Sequence, residues 1–253
     1  MDDELTVIAI ASLACIQQDL LHEGLGHGVA AWLSGAHEIT LSTVALQSDI
    51  STRWISASGT LVNLAAGAAL WAVLQAKPFS PAARYFLVLA MAGNLFTATG
   101  YFLFSGIANF GDWGAVIDGL EPHWTWRLAL VVLGVVSYGG AMKVVAHALR
   151  PFKTREPARL RRLCVTPYVA DGVLAAAAGA MNPLGLFYVI ASALPSTLGA
   201  NAGLLALPGL TRDWAVSDRE TAGIHRSAAW IAAALLSVLL FVFVLGPGIT
   251  LRF

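Results

Sequence analysis

The residues best suited to chemistry lie close together near the start of the chain, in Gln17-Gln18-Asp19 and His22-Glu23-Gly24-Leu25-Gly26-His27. Two imidazoles and a carboxylate within six residues offer neutral nitrogen ligands for zinc, and a glutamate left unligated beside such a site is the general base of metalloprotease chemistry. The stretch 5–33 around them is otherwise apolar and reads as a membrane span. Ionisable side chains at bilayer depth cost about 2.5–3.5 kcal/mol each on insertion scales, so these groups are expected to face an interior site. The plainer explanation is that they only hydrogen-bond neighbouring helices, at about 0.6–2 kcal/mol per contact. Packing needs less polarity than this, and Asp19, one turn before His22 and Glu23, offers a further acceptor to orient an imidazole.

The spacing imposes a condition. Zinc-binding histidines four residues apart lie about 40° from each other around a helix, whereas His22 and His27, five apart, lie about 140° from each other. A single-turn π-bulge absorbs the extra residue, and Gly24 and Gly26 stand where the backbone must adjust. Two ligand pairs stay open: His22 with His27, leaving Glu23 as base, or Glu23 with His27, leaving His22 another role.

The elements that must position these groups are helices in a bilayer. Of 253 residues 57% are apolar and 12% charged, and mean hydropathy is +0.71, against about one quarter charged in soluble domains. A soluble two-domain enzyme is excluded. Apolar runs predict an all-α, polytopic transmembrane bundle of six or seven helices, at about 5–33, 54–76, 82–105, 127–149, 164–181, 184–206 and 227–247. They form a single integral membrane domain over 1–253, with the catalytic core in about 5–120 and additional transmembrane helices in about 127–247. The fifth and sixth, joined by Met181-Asn182-Pro183, read as a tight hairpin or a broken re-entrant pair. Glu38 to Leu46 (EITLSTVAL) partly alternates and predicts a short β segment after the first helix.

Charge supplies orientation and excludes partners. The segment 150–162 holds six of the fifteen basic residues and is expected on the cytoplasmic side. Alternation through seven helices then leaves only Arg53, Arg127 and Arg252 on the outer side, with Trp32, Trp54, Trp124 and Trp126 at the outer interface. This reading suits a multi-pass protein of a cell membrane. Fifteen basic and fifteen acidic residues leave no excess charge for a nucleic acid, so membrane lipids are the expected surroundings. Two cysteines, Cys15 and Cys164, make no disulfide scaffold, and the acidic start MDDEL reads as a retained span rather than a cleaved signal.

His22 to Gly35, HEGLGHGVAAWLSG, resembles the first catalytic helix of the site-2 protease family of intramembrane zinc metalloproteases, H-E-x-G-H-A-x-x-A-x-x-x-G, with one residue added. The expansion H-E-x-x-G-H also resembles the dipeptidyl peptidase III type of zinc peptidase. Gly59-Thr60-Leu61-Val62-Asn63 is similar to the site-2 family's G-P-x-x-N, with threonine in place of proline. The family's N-x-x-P-x-P-x-x-D-G-G has a loose counterpart from Asn109 to Gly119, without its prolines. The resemblance covers about residues 15–120 and implies Zn2+ held by His22, His27 and an aspartate, with Glu23 as catalytic base. The aspartate is Asp112 in Gly111-Asp112-Trp113 or Asp118 in Asp118-Gly119, and Asp112 is the choice here. Asn63 would bind substrate, a transmembrane protein or peptide held extended by the β segment.

Depth agrees without the resemblance. His22 lies about 16 Å from the outer end of its helix and Asn63 about 14 Å from the outer end of the next, and Asp112 enters from the same face. Two rivals stand beside a peptidase: a zinc hydrolase of lipid amides or esters, and a transporter or scaffold without chemistry. Outside the site, Asp171 is a buried carboxylate of undetermined role, and Asn182 and Asn201 are expected to cap or bridge helices. His123, His147 and His225 read as interfacial, the run 150–162 as facing anionic headgroups, and 208–227 as carrying a surface helix around Trp214.

Overall fold

Residues 2–185, 189–190, 194–214 and 223–253 are described by the computed structural model. Helix α1, Glu4–Leu33, begins where the Asp3 carboxylate accepts the Thr6 N–H, the usual way an Asp satisfies a first-turn amide. Thr52 caps α2, Arg53–Ala76, and Ser80 followed by Pro81 opens α3, Pro81–Ala108. A short α4, Asp112–Ile117, precedes α5, His123–Leu149, and α6, Pro157–Ala180. Then come α7, Thr197–Leu210, and α8, Ala228–Leu245. Six of these, α1, α2, α3, α5, α6 and α8, are long and apolar enough to cross a membrane. The seventh expected span, 184–206, falls partly outside the described residues, and its described part gives the shorter α7. The expected surface helix around Trp214 also lies mainly outside them, at 215–222.

The bundle is a polytopic transmembrane architecture built around α3. The most apolar stretch of α3 is 72% buried, against 17% for α8, so α3 is the centre and α8 faces outward. Tyr85, Met91 and Phe96 of α3 form the core with Ile10, Val145, Leu149 and Leu163. Pro167 inside α6 leaves the Leu163 carbonyl without its helical donor, and the Tyr85 hydroxyl donates to it at 2.8 Å. Asn182 bridges as expected, donating to the Gly246 carbonyl at 3.0 Å and accepting the Leu184 N–H.

The β segment is larger than its local pattern indicates. Strands β1, Glu38–Leu41, and β2, Gln47–Ser48, pair antiparallel, and β3, Ile249–Arg252, pairs with the other edge of β1, giving the order β2-β1-β3. So β1 has no free edge to receive a substrate strand. The partner comes from more than 200 residues away in sequence, where no local pattern announces it.

The two ends of the bundle are tied differently. At one end the sheet, Arg53 and Asp118 meet, the Arg53 guanidinium donating to the Asp118 carbonyl at 2.7 Å. At the other, Asp2 accepts from Arg159 and from the Ile224 N–H, both at 2.8 Å. The basic run 150–162 lies at this second end, and it is not simply a headgroup-facing surface. Lys153 donates to the carbonyls of Thr211, Arg212 and Trp214 and so caps α7, and the Arg150 guanidinium lies 4.2 Å over the Trp214 ring.

Burial opposes ionisation of Asp2, but the Arg159 guanidinium and the Ile224 N–H hold its carboxyl below the ordinary range. Removing one partner of such a buried pair strands the other, so Arg159→Ala should cost about 3–5 kcal/mol, read as a fall in thermal midpoint. Arg162→Ala should change it by about 1 kcal/mol or less, because the Arg162–Glu156 pair is exposed and 3.8 Å apart. Because the folded-state pKa of Asp2 is depressed, its contribution is present above the unfolded carboxylate pKa and is lost as pH falls through the folded value.

Candidate metal centre

Within α1 the residues Leu20–Gly28 form a π-helix, the expansion that the five-residue histidine spacing requires. Its bonding to the fifth residue onward brings His22 and His27 to one face. The rings meet edge to face with centroids 4.7 Å apart. Small residues let α2 approach this face: a Cβ at Gly26 would stand 2.5 Å from Gly59 Cα, and one at Gly59 would stand 2.5 Å from His27 Nε2 and 2.8 Å from His22 Nε2. Asp112 arrives from the end of α3, where Asn109 turns left-handed at φ 53° and Gly111 has φ 80°, so the chain reverses and α4 opens on Asp112. His123, expected only at the interface, steadies this turn through Nε2 at 2.8 Å from Asn109 Oδ1.

Three atoms converge. His22 Nε2 lies 3.0 Å from Asp112 Oδ2, His27 Nε2 lies 3.3 Å from it, and the two nitrogens are 3.2 Å apart. The far side of each ring fixes its tautomer. His27 Nδ1 is 2.6 Å from the Ile55 carbonyl, which can only accept, so Nδ1 carries the proton. His22 Nδ1 is 2.5 Å from Asn63 Oδ1, and the Asn63 amide donates to the Gln18 carbonyl and to Asn94 Oδ1, so the oxygen faces the ring and Nδ1 again carries the proton. In neutral rings, the form in which imidazole binds a metal, both Nε2 atoms would then be bare, and here both point at a carboxylate oxygen.

Three mutually repelling lone pairs call for a positive charge between them. Points 3.0–3.3 Å apart can all lie about 2.0–2.1 Å from one common point, the length of zinc–nitrogen and zinc–oxygen bonds. Among the described residues, His22, His27 and Asp112 are a group able to hold one metal ion. Glu23 is not one of the converging atoms: its Oε2 accepts the Leu46 N–H at 2.7 Å, and the residue lines a cavity of about 780 Å³ shared with His27 and Asp112. Asp118 is exposed at the far end of α4.

Two expected roles are corrected. Asn63 is fully buried and all its polar atoms are engaged with His22, Gln18 and Asn94, so it orients an imidazole rather than touching substrate. Asp19 accepts from neither histidine, because Asn63 and the Ile55 carbonyl take those positions. The sequence reading missed Asn94, the acceptor behind Asn63, though a lone asparagine in an apolar helix is a legible signal. It also missed Tyr101, stacked on His22 at 5.0 Å, and the part of α5 and α7 that closes the cavity with Tyr138, Met142, Ala200 and Gly203. A backbone acceptor such as Ile55 has no sequence signal.

No protein-family model, curated protein or solved structure matches this chain. The fold and site by themselves define a multi-pass helical membrane protein with a buried two-histidine, one-aspartate cluster opening on a cavity.

Asn63→Ala removes the acceptor that fixes the His22 tautomer and should weaken metal affinity about 10–100-fold, as loss of an outer-shell partner does. Gly59→Ala should abolish uptake, since its methyl group would occupy the space of both Nε2 atoms. Cobalt titration followed by absorbance checks both.

Proposed function

We propose that this chain is an intramembrane zinc metallopeptidase that hydrolyses peptide bonds of membrane-embedded or membrane-proximal substrates. The observation that carries the reading is the convergence of two imidazole Nε2 atoms and one carboxylate oxygen within 3.0–3.3 Å of one another, with Glu23 in the same cavity. Zinc held there would polarise the scissile carbonyl and lower the pKa of a water at its open position to about 7.

The chain's own residues do the rest. Glu23, with one oxygen fixed by the Leu46 N–H, takes the proton of the attacking water and passes it to the leaving amine. Asn63 and the Ile55 carbonyl hold the imidazoles in the tautomers that present Nε2. Tyr101, Phe104 and Met142 give the cavity apolar walls that limit water. A peptide bond inside a helix is already hydrogen-bonded, so the substrate must unwind before attack. Support for a peptide comes from the rim, where residues 44–48 line the cavity and include the edge strand β2, along which an extended chain can lie. The end that carries 150–162 is assigned to the cytoplasm by its basic residues.

Purified protein should carry about one zinc per chain, lost in His22→Ala, His27→Ala and Asp112→Asn and kept in Asp118→Asn. Zinc-free but folded wild-type protein would leave an imidazolium proton as the reconciling charge and end the metal reading. Glu23→Gln should keep zinc and lose about 10²- to 10⁴-fold in turnover of a reconstituted membrane substrate. Full activity of that variant would refute the role of the base. Cysteines placed in 150–162 and 36–50 should label from opposite sides of the membrane.

A further inference from the structure

The cavity of about 780 Å³ beside the histidines has two unlike ends. At one lie residues 44–48, with the edge strand β2. The other is closed by α3, α5 and α7 through Gly100, Tyr138, Met142, Ala202 and Ala206. This end begins beside the metal centre, since Gly100 directly precedes Tyr101, which stacks on His22. Among the described residues, the acidic and basic side chains that line the cavity are Glu23, His27 and Asp112, all of them at the centre itself. Tyr138 carries a hydroxyl but commits it to α7, donating to the Ala200 carbonyl and accepting the Gly203 N–H, while its ring stacks on Phe96. Ala202 and Ala206, four residues apart on α7, are exposed and line the cavity with single methyl groups. A helical turn about 10 Å wide and 5.4 Å long displaces roughly 420 Å³, so the cavity takes fewer than two turns of peptide. Recognition there falls to individual side chains.

We propose that the end of the cavity between α3, α5 and α7 is a subsite for one large apolar side chain of a bound peptide, leucine, methionine or phenylalanine, and that Ala206 and Met142 set its size. A charged side chain would give up its water there and meet no opposite charge at that end. Alanine would leave the walls without contacts. A large apolar side chain fills the space that Gly100, Ala202 and Ala206 leave open and lies against the Tyr138 ring and Met142, whose unbranched side chain adapts to differing shapes. A lipid acyl chain offers similar surface, but the other end of the cavity is a strand edge, whose amides and carbonyls find partners on an extended peptide and none on a hydrocarbon. Cleavage of the bond beside that side chain rests on the peptidase reading; selective binding of the side chain does not.

The test separates binding from turnover. Each residue of a fluorescently labelled transmembrane peptide is replaced in turn by Ala, Leu, Phe, Asp and Lys, and binding to detergent-purified Glu23→Gln protein is read by anisotropy, with cleavage of the same peptides by wild-type protein read beside it. One peptide position should show Leu and Phe binding about 10- to 200-fold tighter than Ala, the range expected for an apolar pocket, with Asp and Lys weaker than Ala. Ala206→Phe, placed in the same background, should fill the pocket and bring the Leu-to-Ala ratio at that position close to one. Met142→Ala should enlarge it and shift preference from Leu toward Phe, a change of opposite sign that loss of folding cannot produce. Selective binding at one position with no cleavage by wild-type protein would uphold the subsite and end the peptidase reading. Equal binding of all five residues at every position would overturn the subsite, as would a Leu preference untouched by both Ala206→Phe and Met142→Ala. A fatty-acyl amide that displaces the peptide from the Glu23→Gln protein, and fails to once Ala206→Phe is added, would overturn it by giving the pocket to a lipid chain.

Discussion

Two imidazole nitrogens and a carboxylate oxygen aimed at one point need a positive charge to reconcile them, and the arrangement of α1, α2 and α4 serves that constraint. The π-turn at Leu20–Gly28 aims two imidazoles the same way. Gly26 and Gly59 let the helices close to contact, and the reversal at Asn109 and Gly111 delivers the carboxylate. Each of these features is locally unfavourable or demanding: a helix wound off its preferred pitch, two glycines in helix interiors, a left-handed asparagine. Together they bring two imidazole nitrogens and one carboxylate oxygen to a single point.

The supporting shell shows why the centre is rigid rather than merely assembled. Gln17, Gln18, Asn63 and Asn94 form one connected hydrogen-bonded group across α1, α2 and α3, in which every asparagine amide has both donor and acceptor partners. In a low-dielectric interior such a group strengthens when complete and is costly when broken, so it fixes helix rotation as well as ring orientation. Apolar packing of α3 against α1 and α5 alone would tolerate small rotations of the helices; the amide group does not.

What the sequence made legible was what repeats locally or reports its own expense. The spans were visible as apolar runs, and the histidines, Glu23 and Asn63 as polar groups placed where hydrocarbon penalises them. The five-residue spacing even required the π-turn that is present. Asn63 was visible as a residue but not as a role, because its role depends on which helix faces it. The third strand, the Ile55 acceptor and the α5–α7 wall were invisible because they are long-range or made of backbone and ordinary apolar side chains. Lys153 and Arg159 read as surface charge and are instead tied to carbonyls and to Asp2 inside the fold.

The pairing of β1 with β3 gives this protein an order in time. His22, His27, Asn63, Asn94 and Asp112 all emerge from the ribosome long before Ile249–Arg252. At synthesis rates of 5–20 residues per second the interval is roughly 7 to 28 s. Through that interval β1 carries an open edge beside the newly formed centre, the kind of edge that invites pairing with any extended segment nearby. A slow pause in translation after α6 would lengthen the exposure, and arrival of the last strand ends it.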